Sequence, residues 1–132
     1  MRKKWDRVVQ KLTRLTSEGA LQWTRDPKVR REDQEGAAFV VEYLGKRIAV
    51  YGYGRLEQND GEVPGPEFYR SQHAAVEFVS DGGAMEWALP ETLSGQALLD
   101  AVQFQCSGAE DFLKAALEGE PEPESEGELL DW

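Results

Sequence analysis

The sequence predicts an α+β fold: an N-terminal amphipathic helix, a four- to five-stranded antiparallel sheet, and one or two C-terminal helices packed on one face of the sheet. Three observations predict this class. Apolar residues recur at helical spacing near the N-terminus, four runs rich in β-branched and aromatic residues follow with turn signals between them, and helical spacing returns after Pro90. Residues 1–118 are long enough for one core, so we expect a single domain there.

The first helix is predicted from about Lys3 to Glu18. Basic residues fill the positions between its apolar ones, which are Trp5, Val8, Val9, Leu12 and Leu15. Gly19 is predicted to end the helix, because glycine adopts the left-handed C-cap conformation without strain. An extended segment then begins, in which Leu21 and Trp23 point to one face.

The first strand pair follows a polar stretch, residues 24–36, that indicates a loop. Residues 37–44 and 47–54 are predicted to form an antiparallel hairpin, since both runs are rich in β-branched and aromatic residues. We place its tight turn at Gly45-Lys46.

The second strand pair comes after residues 56–68, where Asp60-Gly61 and two prolines predict an exposed excursion. "HAAVEFVS" and "AMEWAL" then flank Asp81-Gly82-Gly83, a sequence with strong turn chemistry. These runs predict a second antiparallel hairpin.

Helical spacing resumes after Pro90, which ends the last strand because it has no N–H for the ladder. Thr92 or Ser94 is predicted to cap the next helix. Ser107 and Glu110 stand in capping-box register, so we favour a separate helix over 109–118, with one helix kinked at Gly108 as the alternative. The predicted inward residues are Leu98, Ala101, Val102 and Cys106 in the first helix, and Phe112, Leu113, Ala116 and Leu117 in the second.

The formal net charge is −10, but it is distributed unevenly. Residues 1–31 carry ten Lys and Arg against three acids, which leaves five bases and twenty-two acids elsewhere. The acidic majority is expected to repel nucleic acid, so no nucleic-acid partner is predicted. Ordinary solvated faces explain both regions most simply, although the basic end could also meet phosphate, an anionic partner or the chain's own tail.

A cytoplasmic protein without a membrane partner is expected. The sequence has no apolar run of the roughly 20 residues that a bilayer-spanning helix needs, and its first twelve residues carry charges where a signal peptide is apolar. The single cysteine, Cys106, excludes an internal disulfide and a thiolate zinc cluster.

No catalytic residue, cofactor or metal site is predicted. His73, the only histidine, is expected to be a hydrogen-bonded edge residue rather than a general base. Cys106 is expected to behave as a small hydrophobe. The strand carboxylates Glu42, Glu77 and Glu86 are expected on the solvent face of a half-covered sheet. Phosphate-loop and nucleophile-elbow motifs are absent from the sequence.

Aromatic strand residues are candidate contacts on the sheet face. Tyr51, Tyr53 and Trp87 could stack on a ligand, but such residues more often form the core and rim of a sheet.

Residues 119–132 form an acidic tail with six acids, two prolines and no base, which predicts that it is largely disordered. Its tip carries the large apolar residues Leu129, Leu130 and Trp132. These three are the predicted partner-binding residues, since an acidic tether with an apolar tip suits a docking element. Packing of the tip on its own domain and an inert terminus stay open.

The order of several stretches resembles an uncharacterised family of small bacterial α+β domains. The stretches are "KLTRLTSEGALQW", "YLGKRIAVYGYG", "AAVEFVSDGGAMEWALP", "LLDAVQFQ" and "FLKAAL", and the likeness covers residues 8–118. The resemblance implies a helix, an antiparallel meander with an Asp-Gly turn, and a C-terminal helix. It implies no established activity.

Three function classes follow. We favour a non-enzymatic protein-interaction or adaptor module that uses the acidic tail and the sheet face. One alternative is an acidic inhibitor or immunity-type protein that blocks a basic enzyme. The other is a small-ligand-binding domain or enzyme, which predicts a deep pocket where Tyr51, Tyr53 or Trp87 meets a carboxylate. An uncovered strand edge would also allow a homodimer, and the sequence leaves the oligomeric state open.

Overall fold

A computed structural model describes residues 2–119 as three helices and one five-stranded antiparallel sheet, which confirms the predicted α+β class. The helices are α1 (Arg2–Ser17), α2 (Gly95–Ser107) and α3 (Ala109–Leu117). The strands are β1 (Thr24–Arg25), β2 (Gln34–Tyr43), β3 (Lys46–Gln58), β4 (Phe68–Val79) and β5 (Met85–Ala88). Their spatial order follows the chain, so the sheet is a meander.

Helix α1 ends at Ser17 and is terminated, as predicted, by a Schellman-type turn at Gly19. The Gly19 N–H donates to the Thr16 carbonyl at 3.1 Å, and the next N–H donates to the Leu15 carbonyl at 2.9 Å. Gly19 has a φ of 79°, the left-handed conformation that this turn requires. The turn directs Leu21 and Trp23 into the core, where both are buried.

The main core lies between one face of the sheet and the helix pair α1 and α2. Its least exposed side chains include Val9, Leu12, Val50, Leu98 and Val102. Helices α1 and α2 lie side by side and begin at the same end of the domain, because the Ser94 N–H donates to Asp6 while the Gln105 amide donates to the Thr16 carbonyl at the other end. Val8, predicted on the inner face of α1, is instead 40% exposed.

The opposite face of the sheet is covered by the loop of residues 26–33. Val29 in this loop is fully buried, in a second, smaller core with Ala38, Val40, Ala49, Tyr51 and Val79. The loop is held by Asp26, whose carboxylate accepts the Lys28 N–H at 2.9 Å and pairs with Arg47 at 3.0 Å. The prediction of a half-covered sheet is therefore wrong, because the polar stretch folds back over this face.

The two predicted hairpins are present with shifted ends. The first turns at Leu44-Gly45, one residue before the predicted Gly45-Lys46, and both turn residues have positive φ, as a type I′ turn requires. Strands β3 and β4 extend further than predicted, so the exposed loop between them is residues 59–67. Strands β4 and β5 form the second hairpin around the Asp-Gly-Gly turn.

Helices α2 and α3 are separate, as favoured from the sequence, because Gly108 between them has a φ of 76°. The predicted caps are present only in part. Ser94 occupies the N-cap position of α2 as predicted, but it makes no side-chain cap bond. At α3 the N-cap is Gly108, although the Ser107 hydroxyl accepts from the Ala109 N–H at 3.1 Å. Glu110 pairs with Lys114 at 3.5 Å instead of reaching back to the helix start, since the left-handed Gly108 displaces Ser107 from the cap position.

The predicted inward packing of α3 is also wrong. Phe112, Leu113 and Leu117 are 75%, 55% and 54% exposed. The turn at Gly108 directs α3 away from the sheet, and its main contact is with α2. Within residues 2–119, no helix is both long and apolar enough to cross a bilayer. The tail, including Leu129, Leu130 and Trp132, lies outside the described residues, apart from Gly119.

Replacing Asp26 with Asn should lower the free energy of unfolding at pH 7 by about 2–3 kcal/mol, because a buried charge-assisted pair is lost. The hydrogen bond from the Lys28 N–H lowers the pKa of Asp26, and so does Arg47. Together they outweigh burial, which acts to raise this pKa. A carboxyl group whose pKa is lower in the folded state stabilises the protein at pH values above its unfolded-state pKa of about 4. This stabilisation is lost as the pH falls through the folded-state pKa. The difference between Asp26→Asn and wild type should therefore shrink below about pH 4 in urea denaturation.

The matched control is Glu42→Gln. Glu42 also pairs with Arg47, at 3.2 Å, but its side chain is 66% exposed, so we expect a loss of at most about 0.5 kcal/mol. An equal loss for both variants, or a pH-independent loss for Asp26→Asn, would contradict this account.

Candidate functional site

A buried carboxylate organises the polar residues of the second sheet face. Glu77 was expected to be a solvent-exposed strand residue, but it is only 3% exposed, so that expectation is wrong. It lies on β4 opposite Ala49 of β3, beneath the loop of residues 26–33. Alternation along the strand correctly separates Glu77 from the helix-covered face, but it does not reveal that the loop covers the other face.

Glu77 has partners for both carboxylate oxygens. Its Oε2 accepts a hydrogen bond from the Tyr51 hydroxyl at 2.6 Å. Its Oε1 accepts from Nη2 and Nε of Arg31, at 3.0 and 3.2 Å. Arg31 also donates to the Gly83 carbonyl at 3.0 Å, which links the loop to the β4–β5 turn. This pairing offsets the cost of burying the charge.

Tyr51 is a hydrogen-bond donor in this cluster rather than a base. Burial first, and then the neighbouring Glu77 carboxylate, raise the pKa of Tyr51 far above its ordinary value. The phenol therefore keeps its proton over the whole pH range in which proteins are usually stable. Its role is to donate to Glu77, and this use of its hydroxyl leaves little capacity for acid–base chemistry on a substrate.

His73 is hydrogen-bonded through both ring nitrogens. Its Nε2 lies 2.7 Å from Ser71 Oγ and its Nδ1 lies 3.0 Å from Glu91 Oε1, while the ring stacks on Tyr53 with centroids 5.3 Å apart. A hydroxyl, an imidazole and a carboxylate occur in the same order in hydrolytic triads. Here the Ser71 hydroxyl also donates to the Arg55 carbonyl of β3 at 3.3 Å, and the bond between His73 and Glu91 joins β4 to the segment after β5.

A cavity of about 300 Å³ opens where β5 ends and the edge of β4 continues. Tyr51 and Tyr53 line it, and its apolar wall includes Leu89. The carboxylate residues of its lining are Glu32, Asp33 and Glu91. Neither Ser71 nor His73 lines this cavity. Its volume is at the lower end of the range for small-ligand sites.

Trp87 is separated from the two tyrosines. Its ring packs against Trp5 at 5.0 Å and Phe78 at 5.9 Å between centroids, beside the helix-covered face. Of the three predicted sheet-face contacts, the structure therefore brings together Tyr51 and Tyr53, whose ring centroids are 6.5 Å apart, and places Trp87 elsewhere.

The α3 apolar face, formed by Phe112, Leu113, Ala116 and Leu117, is the second candidate surface. Every residue from Glu110 to Gly119 is exposed, and Phe104 at the end of α2 adds a side chain that is 53% exposed. The sequence correctly assigned these apolar residues to one face but predicted the wrong environment. Helical periodicity identifies such a face without showing what it contacts.

Arg31, which pairs with the buried Glu77, is a site residue that the sequence did not identify. It lies in a charged stretch, and its partner Glu77 is 46 residues away, so spacing offered no signal. No group of three or more metal-ligating side chains occurs within residues 2–119.

Comparison with known proteins found no matching family model and no significantly similar curated protein or solved structure. The resemblance to small bacterial α+β domains therefore stays a prediction.

Replacing Tyr51 with Phe should lower the free energy of unfolding by about 1.5–3 kcal/mol, because Glu77 then loses a donor while remaining buried. Tyr53→Phe is the matched control, since the Tyr53 hydroxyl accepts a hydrogen bond from the exposed Arg55 guanidinium at 3.1 Å rather than from a buried group. We expect that control to stay within about 0.5 kcal/mol of wild type in urea denaturation. Equal losses for the two variants would show that the Tyr51–Glu77 bond is not stabilising.

Proposed function

We propose that this chain is a non-enzymatic, cytoplasmic protein-interaction module whose docking surface is the α3 apolar face, extended by the acidic tail. The exposure of Phe112, Leu113 and Leu117 carries this proposal, because each is more than half exposed on one side of the helix. Burying such a side chain is worth roughly 1.5–3 kcal/mol. A partner groove that covers this face would recover that free energy.

The length of α3 favours the same conclusion. Helix α3 has nine residues, and isolated helices shorter than about 12–15 residues are marginal in water. Most helices of this length are stabilised by packing an apolar face, but the face of α3 that would do so is exposed. A short amphipathic helix that inserts its apolar side into a groove is a recurrent mode of recognition between proteins.

The charges around the α3 apolar face indicate the surface that a partner would need. Glu110, Asp111 and Glu118 flank it, and Lys114, the one base of α3, pairs with Glu110 at 3.5 Å. Residues 120–132 add further acids. A complementary partner would present an apolar groove with a basic rim, since opposite potentials speed association and favour the correct partner. A basic enzyme inhibited by this chain would be one partner of that kind.

Phe112→Ser combined with Leu117→Ser should abolish capture of such a partner while leaving the fold intact, because neither side chain supports the core. The measurement is affinity capture from the host, followed by binding of the purified partner. We expect the Kd to rise at least about tenfold, as for the loss of interface anchors. Leu93→Ser is the matched control, because Leu93 is 99% exposed but lies outside α3.

The same assay separates α3 from the tail. Trp132→Ala should weaken binding by about 1–3 kcal/mol if the tip is an anchor. Unchanged binding by Trp132→Ala would remove the tip from the interface and leave α3. Unchanged binding by the double α3 variant, with circular dichroism matching wild type, would refute the proposed docking surface.

A second candidate function is supported by the cavity beside Tyr53, where two tyrosines and several carboxylates converge. Among the residues that the structure describes, three carboxylates and one guanidinium line it, and that guanidinium, Arg31, is already paired with Glu77. Both features favour a small organic cation.

Butylammonium should therefore shift the amide signals of Tyr53 and Ala75 in a ¹⁵N spectrum, because both residues line the cavity, and Tyr53→Ala should reduce the shifts. Butyrate, of the same size and opposite charge, serves as the control. Equal effects of the two ions, or no effect of either, would exclude a cation site.

A further inference from the structure

The outer side of α1 carries a basic stripe, defined here as Lys4, Arg7, Lys11 and Arg14. These four residues are spaced three or four apart, so they lie along one side of the helix, and all four are exposed. They line a shallow groove together with Val8, which is 40% exposed although it is apolar. The stripe thus combines a row of cations with one apolar side chain.

The basic stripe has little counter-charge within residues 2–119. Only Arg14 has a carboxylate within 4.0 Å in this part of the chain, namely Glu18 at 3.9 Å in an exposed pair. Asp6, the single acid of α1, accepts hydrogen bonds from Gln10 and from the Ser94 N–H instead. Like charges at helical spacing repel one another, so an anionic occupant of the stripe would be stabilising.

We propose that the basic stripe is the docking site of the chain's own residues 120–132, with the apolar tip placed at Val8. Glutamate occupies every second position from Glu120 to Glu128, and the tail contains no base. In an extended segment, alternate residues lie about 6.5–7 Å apart. Neighbouring cations of the stripe are about 5–6 Å apart. The two charge spacings are close enough for successive carboxylates to meet successive cations.

The tail is also long enough to reach the stripe. Helix α3 begins beside the C-terminal end of α1, because Ser17 and Gly19 line one groove with Gly108 and Asp111. Helix α3 is about 14 Å long, and the stripe from Arg14 to Lys4 covers about 15 Å. Thirteen residues can span up to about 43 Å. Residues 120–132 are therefore long enough to pass back along α3 and bring the tip to Val8, in the middle of the stripe.

Docking of the tail on α1 would regulate the availability of the tail to a partner. A tail held on the basic stripe presents neither its acids nor its tip to a partner, so self-docking and partner binding compete. The attraction is between exposed charges and is therefore screened by salt. This inference does not depend on the proposed binding role of α3, because it concerns the free full-length chain.

Paramagnetic relaxation in the full-length chain tests the proposal. A nitroxide is attached at Ser125→Cys in a Cys106→Ser background, which keeps a hydroxyl donor where the Cys106 thiol donates to the Trp23 carbonyl. At low salt, amide signals of the basic stripe should broaden at least about threefold more than those of β2, and this preference should disappear near 0.5 M NaCl.

Charge reversal supplies the matched comparison. Lys4→Glu, Arg7→Glu and Lys11→Glu together should abolish the preferential broadening of α1. The control combines Arg25→Glu, Lys28→Glu and Arg30→Glu, an equal charge change at exposed bases in and beside the loop of residues 26–33. This control should leave the broadening on α1, and dispersed spectra should show that both variants are folded.

Several results would overturn the proposal. Broadening centred on α3 would mean that the tail covers the α3 apolar face instead. Broadening that grows with protein concentration would point to a second copy of the chain. Broadening of α1 that survives the charge reversal and high salt, or no preferential broadening at all, would exclude electrostatic self-docking.

Discussion

The buried carboxylate of Glu77 is the constraint on which the second face of the sheet depends. A charge in this position would cost several kcal/mol if it had no partner, so the loop of residues 26–33 must bring Arg31 to it. In doing so the loop buries Val29 over the sheet and reaches the Gly83 carbonyl. Tyr51 completes the cluster from the neighbouring strand. The pair between Arg31 and Glu77, together with the Asp26 contacts at the start of the loop, therefore holds the loop over the second core and against the β4–β5 turn.

The polar groups on this side of the sheet mostly form hydrogen bonds and ion pairs with one another. Tyr51 donates to Glu77, Arg31 pairs with it, and His73 is held by Ser71 and Glu91. Groups whose hydrogen bonds are already made have less capacity to bind or transform a substrate. This is why the α3 apolar face, with its exposed side chains, supports a functional proposal better than the cluster does.

The charge distribution has a structural counterpart. The base-rich first helix lies against α2, and α2 leads through Gly108 into the acidic, exposed α3. The C-terminal end of α1 and the start of α3 are therefore close, although they are far apart in the sequence. Within residues 2–119, the acids Glu110 and Asp111 at the start of α3 therefore lie beside the C-terminal end of the base-rich first helix.

The sequence by itself determined the features that depend on neighbouring residues. The left-handed turn at Gly19, the Asp-Gly-Gly hairpin and the break at Gly108 follow from local backbone preferences, and periodicity correctly grouped most core residues of α1 and α2. Only the tertiary structure decided what covers each face. The burial of Glu77 depends on an arginine 46 residues away, and the exposure of Phe112 depends on the direction in which α3 leaves α2. Alternation and helical spacing show which residues share a face, but the environment of a face is set by long-range packing that no local pattern encodes.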